Sequence, residues 1–258
     1  MNMKHDSEIS SRNIIRRFWK TSVAVSRIRK TSAAVLSVLC FTACDSGDII
    51  PKEDTGNKEI VATVSFTHVE TIPAVRERKL AFMSYTNPGD EQPNRMHVIT
   101  TAQEGAPTEL SLTQVPDDTR QVVLALVDQD NQIIYPFFEK EISSSSDRVD
   151  LGAVTVNLIA YDRVQKQLFN QSCLDCHSGG NLSRGLNLGE GQSYRAIVNV
   201  ESKVPGMPIV KPGDVESSLI VKQLTDYNTG SFHTTLTTMK DNDITLLKEW
   251  IRNGASVN

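Results

Sequence analysis

The pattern of apolar residues changes near residue 159, and this change constrains the fold more than any other feature of the sequence. Between residues 59 and 158, short apolar runs such as "EIVATVSF" and "RQVVLALVD" alternate with turn clusters such as "TNPGDEQPN" and "VPDDT". About seven such runs in about a hundred residues are typical of β-strands. We therefore predict that residues 59–158 form an all-β sandwich, immunoglobulin-like or related.

After residue 159 the pattern favours helices. In "YDRVQKQLFNQSCLDC", Val164, Leu168 and Cys173 fall near one helical face. The segments "GDVESSLIVKQLTD" and "KDNDITLLKEWIRNGA" also have helical spacing, and long Gly/Pro-rich loops separate them. Loops of this length are uncommon in a small domain unless something holds them, and a large prosthetic group would do so. We therefore predict that residues 159–258 form an all-α domain.

The amino terminus is first basic and then apolar. Residues 1–30 carry a run of Lys and Arg, and the apolar segment "TSAAVLSVLCFTAC" follows. That segment is too short for a permanent membrane span. Its end resembles a bacterial lipoprotein signal, in which the cysteine after the cleavage point carries the lipid. We predict a lipoprotein signal peptide at 1–43, lipidation of Cys44 and a flexible tether at 44–58. Phe41 departs from the usual aliphatic residue, so cleavage by the ordinary signal peptidase is the alternative.

The charge distribution argues against a nucleic-acid partner. The chain has 27 Lys and Arg against 31 Asp and Glu, a formal net charge of −4. Because much of the positive charge lies in the predicted signal peptide, the exported chain would be strongly acidic. Phosphate binding needs a basic face. We therefore expect protein and membrane partners, with export placing the chain on the periplasmic or cell-surface side of a membrane.

The four cysteines divide into two groups. Cys40 would leave with the signal peptide, and Cys44 would carry the lipid. Only Cys173 and Cys176 remain in the mature chain, so the exported protein has no disulfide framework. Cys173 and Cys176 therefore form a disulfide with each other, bind a metal ion, or attach a prosthetic group through thioether bonds.

The motif "CLDCH", in which His177 directly follows Cys176, favours the third possibility. A thioredoxin-like dithiol opens a helix after a strand, whereas this motif ends a predicted helix. A structural zinc site needs four ligands, and the adjacent Cys176 and His177 point in different directions from the backbone. In haem c, a Cys-x-x-Cys-His motif binds the two vinyl groups and the iron. We predict one covalent haem c, with thioethers at Cys173 and Cys176 and His177 as the proximal iron ligand.

Three further segments, "GLNLGEGQSYRAIVN", "IVKPGDVESSLIVKQL" and "DITLLKEWIRNGA", extend this pattern over about residues 163–257. In this order they resemble a family of small bacterial single-haem c-type cytochrome domains, which are often fused to other modules in exported proteins. The resemblance implies a class I cytochrome c core whose first and last helices cross. We expect Phe169 and Trp250 to be core residues near that crossing.

The sixth iron ligand is open, because the Met-Pro-Pro loop of this family is missing here. Counting back from the last helix places the methionine of the family near His233, which is the preferred candidate. Met239 is the alternative, followed by Met207 or an open position. A methionine ligand raises the haem potential, and a second histidine generally lowers it.

These residues together predict a membrane-anchored monohaem c-type cytochrome that exchanges single electrons with an unidentified redox partner protein. It would be a carrier more than an enzyme, since no acid–base pair, triad or phosphate loop is found. One alternative is a haem enzyme or sensor with a displaceable distal ligand, such as a peroxidase-like protein. Another is a β-sandwich binding or scaffold protein with an accessory haem, which would require an exposed row of aromatic side chains.

Replacing the predicted lipid-bearing cysteine tests the anchor. We expect Cys44→Ser to move the exported protein from the membrane fraction to the soluble fraction of a bacterial host, because the acyl chains no longer hold it. Cys40→Ser is the matched control and should stay in the membrane fraction. Mass spectrometry of the amino-terminal peptide checks the modification directly, and a lipidated peptide from Cys44→Ser would contradict the assignment.

Overall fold

The computed structural model describes residues 56–74, 77–143, 146–180, 185–226, 232–235 and 241–257. All of them belong to one compact unit, Ile50–Asn258. The predicted signal peptide at 1–43, the lipidation site Cys44 and most of the tether at 44–58 lie outside the described residues, so these assignments stay predictions.

The first half of the described chain forms two β-sheets. The strand order is β4-β1-β7 in one sheet and β3-β2-β5-β6 in the other. Neighbouring strands are antiparallel except for β1 and β7, which run parallel. The strands are β1 Lys58–Thr67, β2 Arg78–Tyr85, β3 Arg95–Ile99, β4 Pro107–Val115, β5 Gln121–Asp128, β6 Ile133–Glu141 and β7 Arg148–Asn157.

One hydrophobic core joins the two sheets. Every second residue of β1 is buried, in keeping with the two-residue period of a strand, and Phe66 is one of them. Phe82 and Leu124 enter the same core from the other sheet. Because both sheets contribute to one cluster, they pack face to face.

The four-stranded sheet is buried on its second face as well. Met83, Val123 and Val127 lie on that face and are at most 1% exposed. A strand that is buried on both faces has no need for polar residues at alternate positions. This explains why β5 is almost continuously apolar in sequence.

The second half of the described chain consists of short helices joined by long loops. Among the described residues, the helical elements are α1 Tyr161–Val164, a π-helical turn Gln165–Phe169, α2 Asn170–Ser172, α3 Leu174–His177, α4 Ser193–Ile197, α5 Leu219–Thr225 and α6 Asp241–Arg252, with 3₁₀ turns at Val69–Thr71 and Phe232–Thr235. The longest of these, α6, has 12 residues.

The predicted all-α cytochrome c domain at 159–258 is therefore wrong. The described chain is mostly β-sheet, with two sheets and seven strands, and its second half has only a few short helices. The segment "GDVESSLIVKQLTD", for example, is helical only from Leu219 to Thr225, and its first residue, Gly213, lies in a turn with a φ of 80°. Parts of the loops pair as isolated β-bridges, Val198 with Val210 and Glu201 with Pro208.

A second hydrophobic core lies within this C-terminal segment, by which we mean residues 159–258. Phe169 and Trp250 are buried in it, as predicted for both residues. The Tyr161 ring lies 5.1 Å from the Trp250 ring, and the Trp250 indole N–H donates to the Ser256 carbonyl oxygen at 2.7 Å. This packing fixes α6 against α1.

Buried charges connect the sheets with the C-terminal segment. Arg78 at the start of β2 forms an ion pair with Asp243 in α6. Arg163 in α1 donates to the Thr71 carbonyl oxygen at 2.6 Å. Buried charges are tolerated when they are paired and hydrogen-bonded, so these contacts hold the two regions in one arrangement.

The described helices include none that is long and apolar enough to cross a membrane.

A truncation in the shared core of the two sheets tests their packing. We expect Phe82→Ala to lower the free energy of unfolding by about 3–5 kcal/mol, because it removes a buried ring and leaves a cavity. Ile133→Ala, at an exposed position of β6, should change it by less than about 0.5 kcal/mol. Urea denaturation measures both, and equal effects would contradict the described core.

Candidate functional site

Cys173 and Cys176 lie on a single helical turn. The Cys176 N–H donates to the Cys173 carbonyl oxygen at 3.3 Å, and the His177 N–H donates to the same oxygen at 3.0 Å. Residues three apart on such a turn face the same side. Neither thiol is in a disulfide.

The two thiols differ in their surroundings. Cys173 is partly buried, and its Sγ lies 3.9 Å from the Leu168 carbonyl oxygen. Burial, with smaller contributions from the nearby Asp243 carboxylate and Cys176, raises the pKa of Cys173 to about 12. Cys176 is exposed. A redox-active dithiol usually has one cysteine with a lowered pKa, and Cys173, whose pKa is raised, is not that cysteine.

His177 is buried, and a backbone carbonyl group contacts one nitrogen of its ring. Its Nδ1 lies 3.2 Å from the Leu186 carbonyl oxygen, which makes that nitrogen the natural donor and leaves Nε2 with its lone pair. Histidines that bind metals typically use the second ring nitrogen in this way. The arrangement therefore suits His177 as an iron ligand through Nε2.

The loop that supplies this carbonyl group is itself fixed. The Leu188 N–H donates to the His177 carbonyl oxygen at 2.7 Å, and the Gln165 side-chain amide donates to the Leu188 carbonyl oxygen at 2.9 Å. The sequence does not reveal this partner of His177, because a backbone carbonyl group leaves no mark on it. Leu186 itself lies in the segment "GLNLGEGQSYRAIVN", one of the segments on which the resemblance depends.

His233 faces His177. The two imidazole ring centroids are 6.0 Å apart, and the ring planes are 18° from parallel. Burial, and secondarily the neighbouring His177, lower the pKa of His233. A neutral imidazole is the form that binds metals. The described residues therefore place His233, the preferred distal candidate, next to His177, the proximal candidate.

The other two distal candidates are placed differently. Met207 lies in a loop, where its N–H donates to the Val204 carbonyl oxygen at 3.2 Å and its own carbonyl oxygen accepts from Ser202. Met239 lies outside the described residues. The described geometry therefore bears on His233 more directly than on either methionine.

The zinc alternative is not favoured by the positions of the ligand atoms. In the described part of the chain, the one group of three His, Cys, Asp or Glu side chains whose ligand atoms all lie within 4.8 Å comprises His68, Glu70 and Glu249. Cys173, Cys176, His177 and His233 do not form such a group. The His68–Glu70 contact at 3.5 Å is an ordinary surface ion pair, and we assign no site to it.

Free space borders the motif, and the described chain holds three buried polar atoms without a hydrogen-bond partner. An open depression of about 510 Å³ is lined by Leu174, Asp175, Ser178 and Gly180. The Ser172 hydroxyl, directly before Cys173, and both polar atoms of the Asn242 side chain are buried without a hydrogen-bond partner. Buried polar atoms normally have partners. Such atoms are compatible with a ligand that supplies polar groups of its own.

The donor set near the motif fits haem c. Two free thiols on one turn match the two vinyl groups, and a histidine with a committed Nδ1 matches the iron. The Ser172 hydroxyl, directly before Cys173, could donate a hydrogen bond to a haem carboxylate.

Comparison of this chain with protein families, curated proteins and solved structures finds no match.

The unequal thiols lead to a prediction for the chain without a bound group. At pH 8, a thiol with a pKa of about 12 is ionised in about one molecule in ten thousand, and Cys173 is also shielded by packing. We expect iodoacetamide to alkylate Cys176 well before Cys173. Peptide mass spectrometry on a time course measures both rates, with Cys173→Ser and Cys176→Ser as matched single-thiol controls. Equal rates in the two variants would contradict the described environments.

Proposed function

We propose that this chain is a monohaem c-type cytochrome that carries single electrons outside the cytoplasm. The observation that carries the proposal is the arrangement of one turn: two free thiols three residues apart, followed by a buried imidazole. The Nδ1 of that imidazole, in His177, contacts a backbone carbonyl oxygen at 3.2 Å. The proposal concerns this site and does not depend on an all-α domain around it.

In this proposal, Cys173 and Cys176 would hold the haem through two thioether bonds, each made by addition of an S–H group across a vinyl double bond with no net gain or loss of electrons. His177 would bind the iron through Nε2, while the Leu186 carbonyl oxygen fixes the ring through Nδ1. When bound, the haem supplies a one-electron ferric–ferrous couple.

We propose His233 as the sixth ligand and keep Met239 as the alternative. The 6.0 Å between the ring centroids of His233 and His177 supports the first choice. Two imidazole ligands would give a lower potential than one imidazole and one methionine. With His177 and a second protein side chain both holding the iron, the site would exchange electrons and exclude other ligands.

The proposed location and partners are based on the sequence. We propose that residues 1–43 direct export, that Cys44 anchors the chain to a membrane, and that the tether at 44–58 gives the folded part freedom to reach a redox partner protein. The acidic balance of the chain supports a protein partner and argues against nucleic acid.

A haem sensor or peroxidase-like enzyme remains the second candidate, because His233 lies in a short 3₁₀ turn, Phe232–Thr235, which an incoming ligand could displace. The scaffold alternative lacks the support that it requires. Phe82 and Tyr85 are buried, and the Tyr135 and Phe137 rings pack under cationic side chains of the C-terminal segment. These aromatic residues therefore form no exposed row.

Spectra of the chain produced with a haem-maturation system test the proposal. We expect haem that remains attached in denaturant, and its loss in Cys173→Ser/Cys176→Ser. We expect His233→Ala to lose the low-spin spectrum and to bind carbon monoxide when reduced, because it frees the sixth position.

Met239→Ala is the matched variant for the second ligand. It should keep the low-spin spectrum, whereas loss of a sulfur-to-iron charge-transfer band in this variant alone would assign the ligand to Met239. Ready binding of carbon monoxide by the unmodified protein would favour the sensor or enzyme. Absence of covalent haem would overturn the proposed function.

A further inference from the structure

Two glutamine side chains in the π-helical turn before the cysteine motif are buried. Gln165 is 4% exposed and Gln167 is 0% exposed. Gln167 contacts Asp243 and Arg163, whereas Gln165 contacts a different part of the chain. Because buried polar side chains normally have hydrogen-bond partners, the partners of Gln165 indicate which segments it holds together.

Gln165 joins the helical stretch that leads to the motif with the loop that follows the motif. Its Nε2 group donates one hydrogen bond to the Leu188 carbonyl oxygen at 2.9 Å and another to the Asn170 side-chain oxygen at 2.8 Å. The Asn170 amide in turn donates to the Glu190 carboxylate at 2.7 Å. The loop at residues 186–192 is therefore held at two points, Leu188 and Glu190.

Two hydroxyl groups continue the hydrogen bonds beyond the Gln165 amide. The Ser193 hydroxyl, at the start of α4, donates to the Gln165 side-chain oxygen, which can only accept. Ser193 has no second hydroxyl proton, so Tyr161 is the donor in the contact between the Tyr161 and Ser193 hydroxyl groups. Burial raises the pKa of Tyr161 to about 12, so this donor keeps its proton at neutral pH. The hydrogen bonds thus run in one direction, from Tyr161 through Ser193 and Gln165 to Leu188.

The loop that is held in this way carries the hydrogen-bond acceptor of His177. The Leu188 N–H donates to the His177 carbonyl oxygen at 2.7 Å, and the Leu186 carbonyl oxygen lies 3.2 Å from the His177 Nδ1. A carbonyl oxygen can only accept, so this contact requires the ring proton on Nδ1. A neutral histidine in water carries its proton mainly on Nε2. The position of the loop therefore decides which tautomer His177 adopts.

We propose that Tyr161, Ser193 and Gln165 are positioning residues that select the Nδ1–H tautomer of His177. They act through the 186–192 loop, because their hydrogen bonds fix the Leu186 carbonyl oxygen where it accepts from Nδ1. The Nε2 lone pair is then free for a metal ion.

The consequence for haem rests on the proposed function. An acceptor for Nδ1–H makes the ligating nitrogen of a histidine more basic, and a more basic ligand favours ferric over ferrous iron. In the proposed cytochrome, these three residues would therefore lower the reduction potential.

The first test uses the chain without haem, with histidine rings labelled with nitrogen-15. Long-range proton–nitrogen correlation NMR at mildly alkaline pH distinguishes the two neutral tautomers, and His177→Ala identifies the His177 signals. We expect the unmodified chain to show the Nδ1–H tautomer. Gln165→Leu keeps a similar volume but cannot donate to Leu188, and we expect it to shift His177 towards the Nε2–H tautomer. An unchanged tautomer in Gln165→Leu would overturn the inference, as would an Nε2–H tautomer in the unmodified chain.

Gln167→Leu is the matched control, because it makes the same change at the other buried glutamine of the same turn. The described hydrogen bonds of Gln167 go to Asp243 and Arg163 and not to the loop. We expect Gln167→Leu to lower the free energy of unfolding, as Gln165→Leu does, and to leave the His177 tautomer unchanged. Equal tautomer shifts in the two variants would overturn the inference, since any loosening of the turn would then have the same effect.

Two smaller changes keep the test decisive if Gln165→Leu fails to fold. Tyr161→Phe removes one hydroxyl group and keeps the ring that packs against Trp250. Ser193→Ala removes the donor to Gln165 itself. We expect Ser193→Ala to shift the tautomer further than Tyr161→Phe, because the lost bond is nearer to the loop. The absence of a shift in both variants, or the reverse order, would overturn the inference.

The midpoint potential of the haem-containing protein tests the consequence for the iron. We expect Gln165→Leu to raise the potential, measured by spectroelectrochemistry, because the weaker Nδ1 hydrogen bond makes His177 a less basic ligand. An unchanged or lowered potential with the haem still attached would overturn this consequence. An unmodified chain without covalent haem would overturn the proposed function instead, and the tautomer measurements would still decide the role of the three residues.

Discussion

The arrangement of the described chain depends on one buried carboxylate. Asp243 lies in the first turn of the last helix, and its side chain could not be buried without donors from elsewhere in the fold. Two of its partners are Arg78 in the second strand and Gln167 in the stretch that leads to the cysteine motif. The contacts fix the last helix relative to both, since removing either partner would leave a buried charge uncompensated.

The cysteine motif depends on this arrangement in turn. The last helix provides Trp250, which packs against the Tyr161 ring at the start of the motif's own helical stretch. That stretch ends at His177, whose ring is held by the backbone of the following loop at Leu186. A rigid scaffold on one side and a backbone hydrogen bond on the other keep the imidazole in one orientation, which is what a metal ligand requires.

The sequence allowed the strands and the motif to be predicted, but not the way in which the C-terminal segment folds. Alternating apolar residues such as those of β1 report directly on the face that a strand buries. The helical spacing around Leu168 and Leu247 correctly indicated a buried face, since both residues are buried. Such spacing does not reveal how soon a helix ends, and the all-α prediction failed for this reason. Long-range partners are equally hidden, because Arg78 and Asp243 lie 165 positions apart.

In the proposed cytochrome, the unequal exposure of the two cysteines would have a consequence for electron exchange. Cys173 packs against the interior, whereas Cys176 lies at the surface. A porphyrin bonded to both would have one edge turned towards the protein and the other towards solvent. Tunnelling between redox centres becomes faster as they approach, so the edge at Cys176 would be the point of closest approach for a docking partner. The side chains around Cys176 would then decide which partner can come near enough to exchange an electron.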